Sequence, residues 1–180
     1  MKLNNILFLK LLLVLSLFAV ADTSEITIST DRLVIQVKGV VCSFCAYGTE
    51  KNLSKLDFLD KTQFNDDGVL IDINTHRITL ALQPNKPVRY ADINKAIIKG
   101  GYDPVEYYSA IQGVVQARED GYQLLCKDNG QIYSLPNSPD TQAMLNKQVL
   151  VKAKLSAKQA AASVVGQPIK LTAITLETLP

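Results

Sequence analysis

The chain of 180 residues is 47% hydrophobic and 20% charged, with nine glycines, seven prolines and three cysteines. That composition excludes a disordered, collagen-like or disulfide-dense protein. Its 19 Lys plus Arg against 17 Asp plus Glu include Lys2 and Lys10 in a leader expected to be removed, so the remainder is formally neutral and gives little support to a nucleic-acid or anionic-membrane surface.

Lys2 opens a short polar stretch, Ile6 to Val20 is almost wholly apolar apart from Lys10 and Ser16, and Ala19-Val20-Ala21 presents small residues where a signal peptidase reads. Residues 1–21 therefore read as a secretory signal. The apolar run from Leu11 to Ala21 is too short for a bilayer, which needs about 20 residues, so a cleaved signal is expected rather than an anchor. The expectation is an exported chain starting near Asp22, periplasmic, with no membrane span after cleavage.

Leu33, Ile35 and Val37 alternate and predict a half-buried strand. Cys45, Thr49, Leu53 and Leu56 then recur at helical spacing, although Gly48 weakens that helix. Val69, Ile71 and Ile73 form a second alternating set and Ile78, Leu80 and Leu82 a third, with Asn74 to Arg77 as the hairpin turn. Ile93, Ile97 and Ile98 make a second helical face ending at Gly100-Gly101, and Val105 with Tyr107 makes a last strand. The order is β-α-β-β-α-β, a split βαβ of the ferredoxin-like class, over residues 30–108. In the usual strand order of that class the last strand lies at the sheet edge, where Pro104 is tolerated.

From residue 109 to 180 the pattern is all-β. Strands are expected at Ile111 to Ala117, Tyr122 to Cys126, Ile132 to Leu135, Val149 to Leu155 and Ile169 to Leu176, with hairpin turns at Asp120-Gly121 and Asn129-Gly130. Thr141 to Lys147 reads as a short helix, and the Ala-rich stretch from Ala157 to Val165 as a helical turn or a loop. Five strands with a helix between the third and fourth resemble an OB-like barrel; a small irregular β-sandwich is the alternative. The fold class is α+β, with the ferredoxin-like unit followed by this small β domain.

One constellation carries chemistry. Gly39-Val40-Val41-Cys42-Ser43-Phe44-Cys45 follows the first strand and opens the first helix. Two thiols at a helix N-terminus face unpaired N–H groups and the positive end of the dipole, which favour thiolate. Converging thiolates suit a soft ion, whereas two ligands leave Zn(II) short of its usual four.

These residues resemble the heavy-metal-associated domain family, the module of copper chaperones, metal-pump N-terminal domains and the periplasmic mercury-binding protein. The resemblance runs from about Arg32 to Tyr107. It rests on the Gly39-x-x-Cys42-x-x-Cys45 loop, on Leu53 and Leu56, and on the Ile97-x-x-Gly100-Gly101-Tyr102 close of the second helix. It implies Cys42 and Cys45 as ligands of a soft metal ion, Cu(I) or Hg(II) before Zn(II). It also implies Tyr102 as the loop aromatic near the ion, and a protein partner to which the ion is passed. Val40 and Val41 stand where the family usually has Met and Thr, and Asp57 to Gly68 is a longer, acidic insert carrying Asp57, Asp60, Asp66 and Asp67. The expected protein is a binding protein and not an enzyme; the alternative is a thiol-disulfide oxidoreductase using the same CxxC pair, and a third reading is a disulfide that staples the loop.

His76, the single histidine, sits in the hairpin turn at the same end as the CxxC loop and is a conceivable supporting ligand. Lys38 and Lys99 flank that end and would favour an anionic bis-thiolate complex, while Asp103 and Glu106 would oppose thiolate formation. Cys126 is in phase with Tyr122 and Leu124, as a buried core thiol would be; the sharper reading is an odd thiol that pairs elsewhere. Tyr122 and Tyr133 are too few rings for a single-strand nucleic-acid face, and no nucleic-acid partner is expected.

Overall fold

The computed structural model describes residues 26–39, 43–171 and 173–179, so the expected signal at residues 1–21 lies outside the described residues. The elements are β1 (Arg32–Lys38), α1 (Ser43–Leu53), β2 (Val69–Asp72), β3 (Arg77–Ala81), α2 (Tyr90–Lys99), β4 (Asp103–Arg118), β5 (Gly121–Leu125), β6 (Ile132–Leu135), α3 (Pro139–Ala143), β7 (Gln148–Ser156), α4 (Ala157–Ala161), β8 (Ile169–Lys170) and β9 (Ala173–Thr178). The chain is mixed α and β, dominated by one large sheet in the order β2-β3-β1-β4-β5-β6-β8, with β7 lying between β4 and β9.

Through β4 the order is the expected β-α-β-β-α-β, every neighbouring pair being antiparallel. Alternation along β1 sends Leu33, Ile35 and Val37 into one core with Leu53 of α1 and Ile93 and Ile97 of α2. Ile98 does not share that face; it is 54% exposed, because the stripe runs through positions 90, 93, 94 and 97 at helical spacing and 98 falls beside it. Ile73, expected in the second strand, likewise lies outside β2, which ends at Asp72. The Asp72 carboxylate accepts the N–H of Asn74 (2.9 Å) and the hydroxyl of Thr75 (2.7 Å), which turns the chain before Ile73 can pair.

The insert does two things. Residues 58–60 continue along β3, with the Asp60 N–H donating to the Ala81 carbonyl (2.9 Å) and the Gln83 N–H to that of Phe58 (3.0 Å). A tight turn follows at Phe64–Gly68, in which Phe64, Asn65 and Asp66 all have positive φ (52°, 57° and 66°), fastened to α1 by Lys51 Nζ on Asp67 (3.1 Å).

β4 runs unbroken for 16 residues across the boundary expected at residue 108/109. What reads as a last strand of one unit and a first strand of the next is one strand. Its first part is not an open edge: β7 pairs with it from Glu106↔Ser156 to Val114↔Gln148. Pro104 precedes that ladder and lies opposite Val37, beside the register shift between Gln36 and Val37, so its missing N–H breaks no rung.

Beyond Gly113, β4 turns to β5, then β5 pairs β6 antiparallel and β6 pairs β8 in parallel. A Cβ at Gly113 would lie 2.5 Å from the Leu125 carbonyl oxygen, so only glycine lets β5 approach where β4 changes partner. The expected strand 169–176 is two strands, β8 and β9, the second paired with β7. The expected helix 141–147 begins earlier and is shorter, because Ser138 caps the Thr141 N–H and Pro139 opens the first turn. Ser156 and Gln159 form a reciprocal capping box that starts α4.

The C-terminal part is stitched to the first. The Gln131 side-chain amide accepts from the Val88 N–H (3.0 Å) and donates to the Val88 carbonyl (2.8 Å), and Asn129 Nδ2 donates to the Pro84 carbonyl (3.3 Å). Tyr107 on β4 donates to the buried Asn94 of α2 (3.1 Å).

Candidate metal centre

Three chain segments meet at one end of the sheet: the end of β1 with Gly39, the β2–β3 turn and the loop after α2. The antiparallel register of β1 with β3 sets Gln36 opposite Arg77, which carries the β2–β3 turn to the end of β1. The Val37 N–H and Gln36 Nε2 both donate to the His76 carbonyl, at 3.0 and 3.1 Å. Gly39 leaves β1 with φ +85°, and a Cβ built on it would sit 3.5 Å from the Gly101 carbonyl oxygen, so the loop opening the CxxC motif rests against the loop after α2.

That second loop is a helix-ending motif. Gly101, at φ +91°, donates its N–H to the Ile98 carbonyl (2.9 Å), and the Tyr102 N–H donates to that of Ile97 (3.2 Å). The close of α2 thus turns Tyr102 inward, where it is 1% exposed.

Cys42, with Val40 and Val41, lies outside the described residues, and Cys45 is described through its backbone, in the first turn of α1. No acidic residue occupies that first turn.

Of the other expected contributors, Lys38, Lys99 and Asp103 are exposed near this end. Glu106 is engaged elsewhere: Tyr108 donates to it at 2.6 Å and Lys154 Nζ lies 3.1 Å away, and these partners hold its carboxyl below the usual range. His76 is exposed, its backbone rather than its ring making the contacts above. Among the described residues no group of three or more His, Cys, Asp or Glu gathers around one point.

Periodicity does not announce the exposed apolar residues at this end. Tyr47 on α1, Ile73 in the hairpin turn and Ile98 on the last turn of α2 are 59%, 42% and 54% exposed. The one signal available was that Ile73 and Ile98 fall at the ends of their patterns.

Cys126 is far from these loops in the fold, just beyond β5 in the hairpin to β6, and only 6% exposed. Burial first, and then the nearby Asp128 charge, pushes its thiol up to about 12.

No protein-family model matches the sequence, and no curated protein matches it. Among solved structures, the chain is similar to a CopZ metallochaperone at 19% identity and a TM-score of 0.35, the match covering 41% of this chain and 98% of that one.

Proposed function

We propose that the chain is an exported binding protein for a soft metal ion, a metallochaperone or scavenger, with Cys42 and Cys45 as the two thiolate ligands. One observation carries the reading: Cys45 lies in the first turn of α1, the element that follows β1, and Gly39, the residue after β1 ends at Lys38, is packed against Gly101 beside a buried Tyr102. This is the arrangement that the resemblance to heavy-metal-associated domains implies for a ferredoxin-like unit. Two thiolates suit Cu(I) or Hg(II) better than Zn(II). Release to a partner proceeds by incoming thiolates adding to the ion as Cys42 and Cys45 leave, and the exposed Tyr47, Ile73 and Ile98 offer that partner an apolar rim. The protein acts as a carrier and not as an enzyme, in the periplasm, after loss of residues 1–21.

Residues 30–108 form the metal-binding unit on this reading, and 109–180 an OB-like barrel. The parallel β6–β8 pairing and the return through β9 and β7 to β4 support the barrel, as does a helix between β6 and β7.

The test is an anaerobic titration of the reduced protein with Cu(I) against a competing chelator, beside the Cys42→Ser, Cys45→Ser double variant. Tight one-to-one binding that the variant lacks is the expected result. A wild type that cannot compete for Cu(I), yet turns over a disulfide substrate, overturns the carrier reading in favour of thiol-disulfide exchange on the same pair.

A further inference from the structure

Where α1 meets α2, the Thr49 side chain lies directly against the Gly100 backbone. A Cβ at Gly100 would lie 1.9 Å from Thr49 Oγ1, 2.7 Å from Thr49 Cβ and 2.8 Å from Thr49 Cα. Only the short, β-branched Thr49 side chain stands at the contact and its Cα follows within 2.8 Å, so little there can absorb a change in spacing. Thr49 is fully buried, and its hydroxyl has no hydrogen-bond partner among the described residues. A buried hydroxyl without a partner is costly, commonly about 1–3 kcal/mol, and brings no bond in return here. Thr49 therefore stabilises the contact through its bulk alone.

Gly100 is also the last residue before the loop that meets the CxxC segment. Gly101 follows it and carries the carbonyl against which Gly39 packs, and Tyr102 is tied back to Ile97. A displacement of Gly100 is handed to Gly101 within one residue, with no slack in the helix-ending bonds to take it up.

We propose that Thr49 and Gly100 act as a rigid spacer that sets the Gly101–Tyr102 loop against Gly39, making Thr49 a positioning residue for the ion held by Cys42 and Cys45; the ion's part in this rests on the function proposed above. Thr49 touches no ligand and works through Gly100. Changes to groups that orient metal ligands typically weaken binding by about 10–100-fold, which is the range to expect.

The experiment reads two quantities on the reduced protein: the amide resonances of Gly39 and Gly101, and the affinity for Cu(I) against a competing chelator. Thr49→Val keeps the bulk and loses the unpaired hydroxyl, so both quantities stay at the wild-type values. Thr49→Ala removes the bulk, moves the Gly39 resonance and weakens Cu(I) binding by about 10-fold or more. Gly100→Ala moves Gly39 further, and adding Thr49→Ala to it brings back part of the loss by relieving the closest clash. Should Gly100→Ala fail to fold, the two Thr49 variants decide the matter by themselves. A Gly39 resonance that stays put in Thr49→Ala, or a Cu(I) affinity unchanged while Gly39 moves, overturns the proposal. If the wild type does not bind Cu(I), the positioning role falls with the proposed function, whereas the Gly39 resonance still reports whether the spacer sets the two loops.

Discussion

Tyr90 and Tyr133 meet hydroxyl to hydroxyl at 3.2 Å inside the protein, one opening α2 and the other on β6. Two residues 43 apart in sequence thus share a hydrogen bond that belongs to neither half of the chain alone. Around it, the Tyr90 ring stands edge-on to Tyr107 with centroids 6.0 Å apart.

Tyr133→Phe keeps the ring and removes one partner of that bond. The expected cost is about 1 kcal/mol, with the denaturant dependence unchanged. Because the bond joins the two halves, unfolding followed by far-ultraviolet dichroism and by tyrosine fluorescence should coincide in wild type and variant alike. Two separated transitions would show that the halves unfold independently.

Cys126 should be inert in the folded protein. With its thiol pushed up to about 12, almost none is thiolate at pH 8, and the group is buried as well. In the Cys42→Ser, Cys45→Ser variant, an aromatic disulfide reagent is expected to give no rapid release of chromophore until denaturant is added, and then one equivalent. A rapid native-state equivalent would place Cys126 on an accessible surface.

Stability should fall in alkali. Burial raises Tyr90 from 10.0 to about 12 and Cys126 from 9.0 to about 12, and raises Tyr107 and Tyr133 as well. Each group stays protonated longer in the folded chain than in the unfolded one. The contribution is therefore complete below pH 9 and is lost as pH climbs from the unfolded values toward the folded ones. Each titrating group can add up to about 1.4 kcal/mol of loss per pH unit in that window. Urea midpoints between pH 8 and 11 should decline, less steeply for Cys126→Ser. A flat profile would contradict this burial.

At Gly113, alanine should cost about 1–3 kcal/mol, since its Cβ meets the Leu125 carbonyl and not a movable side-chain end. Gly48→Ala is the control: nothing lies within 4 Å of a Cβ there, and the helix gains a better former. The thermal midpoint should drop for the first and hold or rise for the second.

Short-range chemistry was legible along the chain. The alternations in β1 and β3, the Gly100-Gly101 stop of α2 and the placing of Cys45 at a helix start all follow from local rules. Long-range pairing was not. Nothing in the residues around 103–118 distinguishes two strands meeting from one strand continuing, because both alternate alike and the deciding partner, β7, lies about 40 residues on. The insert shows the same limit. Asp57, Asp60, Asp66 and Asp67 read only as an acidic insert, yet Asp67 pins the turn to α1 and Asp57 pairs with Arg89 at the start of α2. The Gly100 contact with Thr49 was invisible for a similar reason, since each residue has an ordinary local role as helix end and helix stripe.

A strand of 16 residues at about 3.3 Å each is some 50 Å of continuous backbone, and β4 lends one end to the cysteine-bearing unit and the other to the β unit. Such a connection is a strut and not a tether. A flexible linker would let a partner gripping the C-terminal half sweep the cysteine loop through a volume fixed by linker length. Here that grip sets the position and heading of the sheet end at Lys38 and Gly101 together, so any partner that holds both halves at once must match one fixed span.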